Sequence, residues 1–417
     1  MLSSKATLAD LPADLAGKRV LIRVDFNVPM KDGQVTDKTR ITSTFPTIRA
    51  ILAKKPRSVI LMSHLGRPDG AKKSEFSLQP VAAVLKELLA PVVVEFVYDC
   101  VGADVARRCQ AVPEGAIVLL ENLRFYGEEE GSAVIDGKKV KIDKSKISDF
   151  SSQLTQLGDV FVNDAFGTAH RAHASMVGVE LPIRVAGNLM EKEIASFAKA
   201  LENPKKPRLA ILGGAKVRDK IQLIDHLIDS FADAIIIGGG MAFTFSKVLD
   251  QAEIGSSLFD EEGAKIVRAI VDKAAANNVK IHLPVDWIAA DKFANDANTA
   301  TVSLAQGIPA NWMGLDIGPK TISNFAEVIK TSNTIVWNGP VGVFEFPRFA
   351  SGSNGVLDAI IANKAAVSIV GGGDTAAFVE GTGKASQVSH VSTGGGASLE
   401  LLEGKILPGV NALSNKA

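Results

Sequence analysis

Short apolar runs, each stopped by glycine or a small polar turn, recur at 19–24, 58–62, 92–96, 116–120 and 160–162, and again at 209–212, 234–237, 280–283, 334–337 and 365–370. Runs of this kind are what strands buried on both faces look like, and stretches 47–54 and 81–89 between them have helical spacing. Strands alternating with helices predict an α/β fold built on parallel sheet covered on both sides. Leu189, Met190, Ile194, Phe197, Ala198 and Leu201 are helically spaced, and Asn203-Pro204-Lys205-Lys206-Pro207 stops them. A helix closed by a proline-rich turn near mid-chain is the expected connector between two domains. The expected boundaries are 1–187 for the first domain, 188–203 for the connecting helix and 204–403 for the second. The apolar tail 404–417 is expected to return to the first domain, because chain termini often lie close together. At 126–146 the pattern changes. Asp136-Gly137 between β-compatible flanks signals a hairpin, and the mixed charge around Glu128-Glu129-Glu130 reads as solvated surface without chemistry.

The length of 417 residues fits two or three domains. Lys plus Arg and Asp plus Glu number 46 each, so no global field recruits nucleic acid or a membrane, and an electropositive site must be a local concentration. Cys100 and Cys109 match neither a disulfide framework nor a zinc pattern, which fits a reducing compartment. No leader pattern opens the sequence, and no apolar run approaches the roughly 20 residues of a membrane crossing. Cytoplasm is the expected location, with neither membrane nor nucleic acid as partner.

The chemistry gathers where strands end. Arg23, His64 with Arg67, Arg124, and His170 with Arg171 all follow predicted strands of the first half, and Arg40 sits in the loop after the first of them. In a parallel sheet these ends share one edge, so the dispersed residues predict a basic patch. A single such arginine is ordinarily a solvated surface residue; recurrence at equivalent strand ends argues for a small, multiply anionic substrate gripped by guanidinium groups. In the second half, Gly371-Gly372-Gly373-Asp374-Thr375 joins a strand to a helix. Glycines there let phosphate reach bare amides at the positive end of the helix dipole. Asp374 would repel phosphate unless a divalent cation lay between them, which makes it a magnesium-contacting carboxylate; otherwise it is an ordinary N-cap. A helix beginning near Lys216 would stack Lys216 and Lys220 on one face, a repulsion that an anion would relieve. Glycine-rich ends at 213–214, 238–240, 338–342 and 394–396 add up to a nucleotide-sized groove, with Glu345 facing ribose hydroxyls.

Arg23-Val24-Asp25-Phe26-Asn27-Val28-Pro29, Ser63-His64-Leu65-Gly66-Arg67-Pro68, Glu121-Asn122-Leu123-Arg124-Phe125, the stretch 163–173, the stretch 213–221, the stretch 337–345, Gly371 to Ala376 and Ser392 to Gly396 together resemble phosphoglycerate kinase, in the family's order, over 15–415. The hairpin near Glu128 is similar to the eukaryotic type. The resemblance implies an α/β fold of two Rossmann-like parallel-sheet domains joined by a hinge helix. It also implies 3-phosphoglycerate or 1,3-bisphosphoglycerate on the first domain and magnesium with ADP or ATP on the second. By resemblance the phosphoglycerate site takes Arg23, Asp25, Asn27, Arg40, Ser63, His64, Gly66, Arg67, Arg124, His170 and Arg171. The nucleotide site takes Gly214, Ala215, Lys216, Lys220, Gly238, Gly239, Gly314, Leu315, Asn338, Gly339, Val341, Phe344, Glu345, Gly372, Gly373, Asp374 and Thr375, with Asp374 meeting Mg2+. Arg40, Lys216, Lys220 and the amides near Gly373 and Gly396 are the groups expected to compensate charge on the migrating phosphoryl. Thr39, Tyr126 and Asn188 depart from the family pattern, and Asn188 bears on how the connecting helix packs.

The implied reaction is reversible phosphoryl transfer between 1,3-bisphosphoglycerate and ADP by a monomer that closes about a hinge. Its acceptor carboxylate, with a pKa of about 4, is already ionised at neutral pH and needs no general base. Two rival enzyme readings are weaker. Gly371, Gly373 and Ala376 satisfy a loose dinucleotide fingerprint, but no acidic residue follows at the end of the next strand, so an NAD-dependent dehydrogenase is disfavoured. No Gly-Lys-Ser or Gly-Lys-Thr occurs, which excludes a P-loop kinase. Scarce aromatics and zero net charge argue against a nucleic-acid binder.

Overall fold

The structure, a computed structural model, describes residues 1–416; Ala417, the end of the tail, lies outside them. The chain forms two compact units, Met1–Ala195 with Ile406–Ala417, and Ser196–Lys405. The helix Asn188–Leu201 spans the boundary.

In the first unit, strands β1 (Arg19–Arg23), β2 (Ser58–Met62), β3 (Val94–Val97), β4 (Ala116–Leu120), β5 (Val160–Asn163) and β6 (Arg184–Ala186) form one sheet of order β6-β5-β1-β2-β4-β3, parallel throughout. Successive side chains leave opposite faces. Val20, Ile22, Val59 and Leu61 enter a core with Ile48 and Leu85, while Leu21, Ile60, Val118 and Phe161 enter another with Cys109 and Leu154. Two cores explain why the strands read as unbroken apolar runs. The expected strand at 92–96 begins instead at Val94, because the Val92 amide is spent on a turn to the Leu89 carbonyl at 2.9 Å.

The tail lies on this unit. Asn415 bridges Lys5, the Ala6 amide donates to Ser414 O at 2.8 Å, and the Gly409 amide donates to Ala169 O at 2.9 Å. Asp136 and Gly137, both at positive φ, join the hairpin strands Ser132–Ile135 and Lys138–Lys141. The stretch just before it is not solvated surface. Glu129 is buried on the short helix Gly127–Glu130, where Ser175 and Arg23 surround its carboxylate.

In the second unit, β7 (Arg208–Leu212), β8 (Ala234–Ile237), β9 (Lys280–His282), β10 (Thr334–Asn338), β11 (Val367–Gly371) and β12 (His390–Val391) run parallel in the order β9-β8-β7-β10-β11-β12. This is the doubly wound order of nucleotide-binding sheets, whose strand order reverses between β7 and β10; ligands bind outside the strand ends at that crevice. An antiparallel sheet of Asp286–Ala290, Thr299–Ser303 and Met313–Ile317, absent from the sequence reading, stands beside it. The expected helix at Lys216 is also displaced. Lys216 lies in an exposed loop, a 3-10 turn spans Arg218–Lys220, and the α-helix starts at Ile221. The two lysines therefore do not stack on one helical face.

Candidate active site

At the carboxyl ends of β1, β2 and β5 the predicted residues of the first unit separate into two depths. Arg23 is fully buried. Its Nε donates to Ser175 Oγ at 2.8 Å, one Nη donates to the Val24 carbonyl, and the other lies 3.2 Å from His64 Nδ1 and 3.9 Å from Glu129 Oε1. Glu129 accepts from the Ser175 amide at 2.9 Å and hydroxyl at 2.6 Å. Arg23 is thus a support beneath the site, without a surface for an anion. His64 is also buried, and desolvation holds its pKa well below the usual imidazole range despite Asp25 nearby, so it is a neutral partner and adds no charge.

Above this layer Arg40 reaches Asp25 at 2.7 Å, and Asn27 Oδ1 accepts from the Gly66 amide at 2.9 Å. Ser63 Oγ accepts from the Phe26 amide at 2.8 Å, and Arg124 donates to the Gly66 carbonyl at 2.9 Å. Gly66 turns at φ +60°, and a Cβ there would meet the Phe76 ring at 2.4 Å. Arg67 and Arg171 are exposed and form no ion pair among the described residues, and His170 is half-buried. The sequence reading missed Glu129, Ser175 and His173. Burial and the charges of Arg124 and Arg23 push His173 down to about 3.

In the second unit the β7 and β10 ends touch backbone to backbone. A Cβ on Gly213 would lie 2.0 Å from Pro340 O, and one on Gly339, at φ +104°, would lie 2.3 Å from Gly213 O. Glycine is the residue this close approach permits. Gly238 is packed against Val341 in the same way, at 2.6 Å from a hypothetical Cβ to its Cγ1. The helix Gly373–Gly381 starts beyond β11 with Gly372 at φ +89°. Thr375 does not cap it; its hydroxyl accepts from the Gly339 amide at 2.7 Å and ties the two strand-end loops together. Gly373, Asp374 and Gly396 are exposed, with open space above Gly373.

Lys220 donates to Asn338 Oδ1, while Asn338 Nδ2, buried beside the Gly372 turn, has no partner among the described residues. Burial lowers Lys220 to about 8, opposed by Asp374, Glu403 and Asp219. A cavity of about 720 Å³ opens at the loops after β7, β8 and β10, lined by Gly214, Ala215, Gly239, Gly314, Leu315, Val341 and Glu345 from the predicted set. Phe243, Leu258, Phe293, Met313 and Asp316 also line it and were not foreseen. Lys216, Lys220, Gly238, Asn338, Gly339, Phe344 and Gly372 to Thr375 lie outside the lining; Phe344 packs edge-on against Phe378 at 5.3 Å.

Among the described residues no cluster of three or more His, Cys, Asp or Glu could hold a metal by itself. Asp374, a lone exposed carboxylate at an amide-rich turn, fits a magnesium ion that keeps several waters and takes its other ligands from phosphate.

A doubly wound sheet with amides and a lysine at its switch point, and another sheet edged with the exposed guanidiniums of Arg67 and Arg171, are suited to anionic groups. The family model of phosphoglycerate kinase matches residues 8–405. Phosphoglycerate kinase of Schizosaccharomyces pombe is 59% identical over 417 residues, covering 100% of both chains. That of Plasmodium falciparum is 57% identical over 419 residues, again with 100% of both covered. The solved structure of phosphoglycerate kinase from Coxiella burnetii superimposes with a TM-score of 0.85 at 39% identity, covering 98% of each chain. The chain belongs to the phosphoglycerate kinase family, whose members are kinases with a carboxyl group as acceptor. The dehydrogenase alternative finds no support in these relatives.

Proposed function

We propose that the chain interconverts 1,3-bisphosphoglycerate plus Mg-ADP and 3-phosphoglycerate plus Mg-ATP, with the acidic substrate on the first unit and the nucleotide on the second. The observation that carries the assignment of sites is that Arg67 and Arg171 are exposed at strand ends and lack ion-pair partners among the described residues, in a chain with no net charge to spare. Guanidiniums left open in this way suit carboxylate and phosphate bidentately. Asp25, Asn27, Ser63, Gly66 and His64 order the loops that carry Arg40, Arg67 and Arg124, and Arg23 acts from below through His64.

On the second unit, the apolar cavity takes the base, Glu345 accepts from ribose, and phosphates run toward Lys216, Lys220, Asn338 and the amides of Gly372 to Thr375. Asp374 would hold a magnesium ion, which when bound would neutralise charge on the phosphates. The acceptor carboxylate is ionised at neutral pH, so the protein's work is alignment and charge compensation by Arg40, Lys216, Lys220 and the amides of Gly373 and Gly396. Groups carried on two separately folded units act together only after hinge closure, which also excludes water. Two cysteines that match neither a disulfide framework nor a zinc pattern support a cytoplasmic location, and the balance of acidic and basic residues argues against nucleic-acid or membrane partners.

The test is a coupled assay of ATP formation from ADP and 1,3-bisphosphoglycerate. Arg67→Ala and Arg171→Ala should each raise the KM for the phosphoglycerate by about 10- to 100-fold, as expected for lost charge-assisted hydrogen bonds, and leave the nucleotide KM unchanged. No ATP from the wild type sinks the reaction; unchanged phosphoglycerate KM in both variants sinks the patch.

A further inference from the structure

One wall of the nucleotide cavity is fastened by a carboxyl group that none of the residues assigned above accounts for. Asp316 sits on the strand Met313–Ile317, 3% exposed, two residues beyond Gly314. Its Oδ2 accepts from the Gly352 amide at 2.8 Å in the first turn of the helix Ser351–Ala362, and its Oδ1 accepts from the Ile317 amide at 2.9 Å. That helix offers no side-chain cap of its own, so Asp316 supplies from across the fold the negative charge its N-terminus favours. The carboxylate is also the floor for the loop after β10: a Cβ on Gly342 would lie 2.1 Å from Oδ1, and one on Gly352 would lie 2.2 Å away. Ser353, in the same first turn, accepts from the Val341 amide at 3.2 Å, and the Val343 amide donates to Leu315 O at 2.8 Å. Strand 313–317 and loop 341–345 are adjoining, hydrogen-bonded parts of the cavity lining, and both bear on this one group.

We propose that Asp316 is a positioning residue for the nucleotide: its carboxyl group locks the helix Ser351–Ala362 and the loop carrying Val341 and Glu345 at the distance from Gly314 and Leu315 that the bound base requires. The proposal rests on the reading of this cavity as the nucleotide site. Burial pushes the group up to about 7, and only the amides of Gly352, Ile317 and Ser351 oppose that, so no neighbouring cation substitutes for them. Replacing the carboxyl group with an amide leaves either the Gly352 or the Ile317 N–H facing another N–H and loosens the wall.

Asp316→Asn in the full chain should raise the KM for Mg-ADP about tenfold while leaving the phosphoglycerate KM and kcat within about twofold. Ser353→Ala, which cuts the Val341 link without touching the carboxylate, should move the same KM by about threefold and keeps the idea testable if the first variant folds poorly. Ala215→Asp, an exposed change that sets a carboxylate at the cavity mouth, should abolish nucleotide binding if the cavity is the nucleotide site. Loss with Ala215→Asp but unchanged nucleotide KM in folded Asp316→Asn overturns the positioning role alone. Equal rises in both substrates' KM overturn it too, because they mark general loosening. Normal nucleotide binding by Ala215→Asp overturns the cavity reading, and the role with it.

Discussion

Arg23 and Glu129 face each other 3.9 Å apart with both side chains fully removed from solvent, directly under the loops that carry the proposed phosphoglycerate site. A charge in that position has no water to fall back on. Its partner, the Ser175 hydroxyl, the Val24 carbonyl and His64 Nδ1 are what keep it there.

Removing half of the pair should therefore be expensive. Glu129→Gln retains an acceptor for Ser175 but strands the guanidinium, and should lower stability by about 3–5 kcal/mol. Because Arg23 holds His64, the same variant should raise the phosphoglycerate KM with the nucleotide KM unchanged. Urea unfolding and substrate titration check both; a stability within about 0.5 kcal/mol of wild type would mean that no charge pair exists there.

Asp164 carries a pH prediction for the start of the connecting helix. Its Oδ1 accepts from the Leu189 and Met190 amides at 3.0 and 3.3 Å, while Oδ2 has no partner among the described residues. Burial raises the carboxyl to about 6, against the pull of Thr47 and the two amides. A carboxyl whose folded pKa exceeds its unfolded value adds stability below about pH 4 and loses it as pH rises through about 6. Relative to Asp164→Asn, the wild type should lose about 3 kcal/mol between pH 4 and 7, from a shift of roughly two units. Denaturation midpoints of both proteins across that range give the answer, and parallel curves would dismiss the effect.

The strands were legible because both faces of each sheet are buried, so Val20 to Ile22 and Ile235 to Ile237 leave no polar position to confuse the pattern. Strand ends were legible for the same reason: parallel sheets put Arg23, His64 and Asn163 on one edge whatever the loops do. Residues whose burial is decided elsewhere in the chain were not. Glu129 looks solvated among other glutamates, and only Ser175, 46 residues away, and Arg23 make it a core residue. Asp316 is ordinary in sequence until the helix at Ser351 and the loop at Gly342 are folded against it. Lys216 and Lys220 were spaced for a helix face, but the 3-10 turn at Arg218–Lys220 intervenes, and Lys220 reaches Asn338 from there. The sheet 286–317 escaped notice because a strand such as Thr299–Ser303, largely solvent-facing, lacks the continuous apolar signal used to find the others.

Lys220 links the nucleotide site to pH most directly. Burial, only partly offset by Asp374, Glu403 and Asp219, lowers its ammonium to about 8, so the free enzyme loses this cation just above neutrality. A phosphate against Nζ favours the charged form and raises the pKa on binding. The kcat/KM for nucleotide should consequently fall above about pH 8, and Mg-ADP binding at pH 8.5 should take up as much as about three-quarters of a proton, read by calorimetry in buffers of different ionisation enthalpy. Lys220→Arg should abolish both the alkaline limb and the proton uptake while keeping a cation, whereas Lys220→Met should cut kcat by about 100- to 1,000-fold, the scale of a lost transition-state donor. Stability runs the other way: the unfolded lysine keeps its proton to about pH 10.5, so the wild type should gain stability between about pH 8 and 10.5 and Lys220→Met should not. A wild-type profile flat to pH 10, with no proton taken up, would remove Lys220 from the phosphate site.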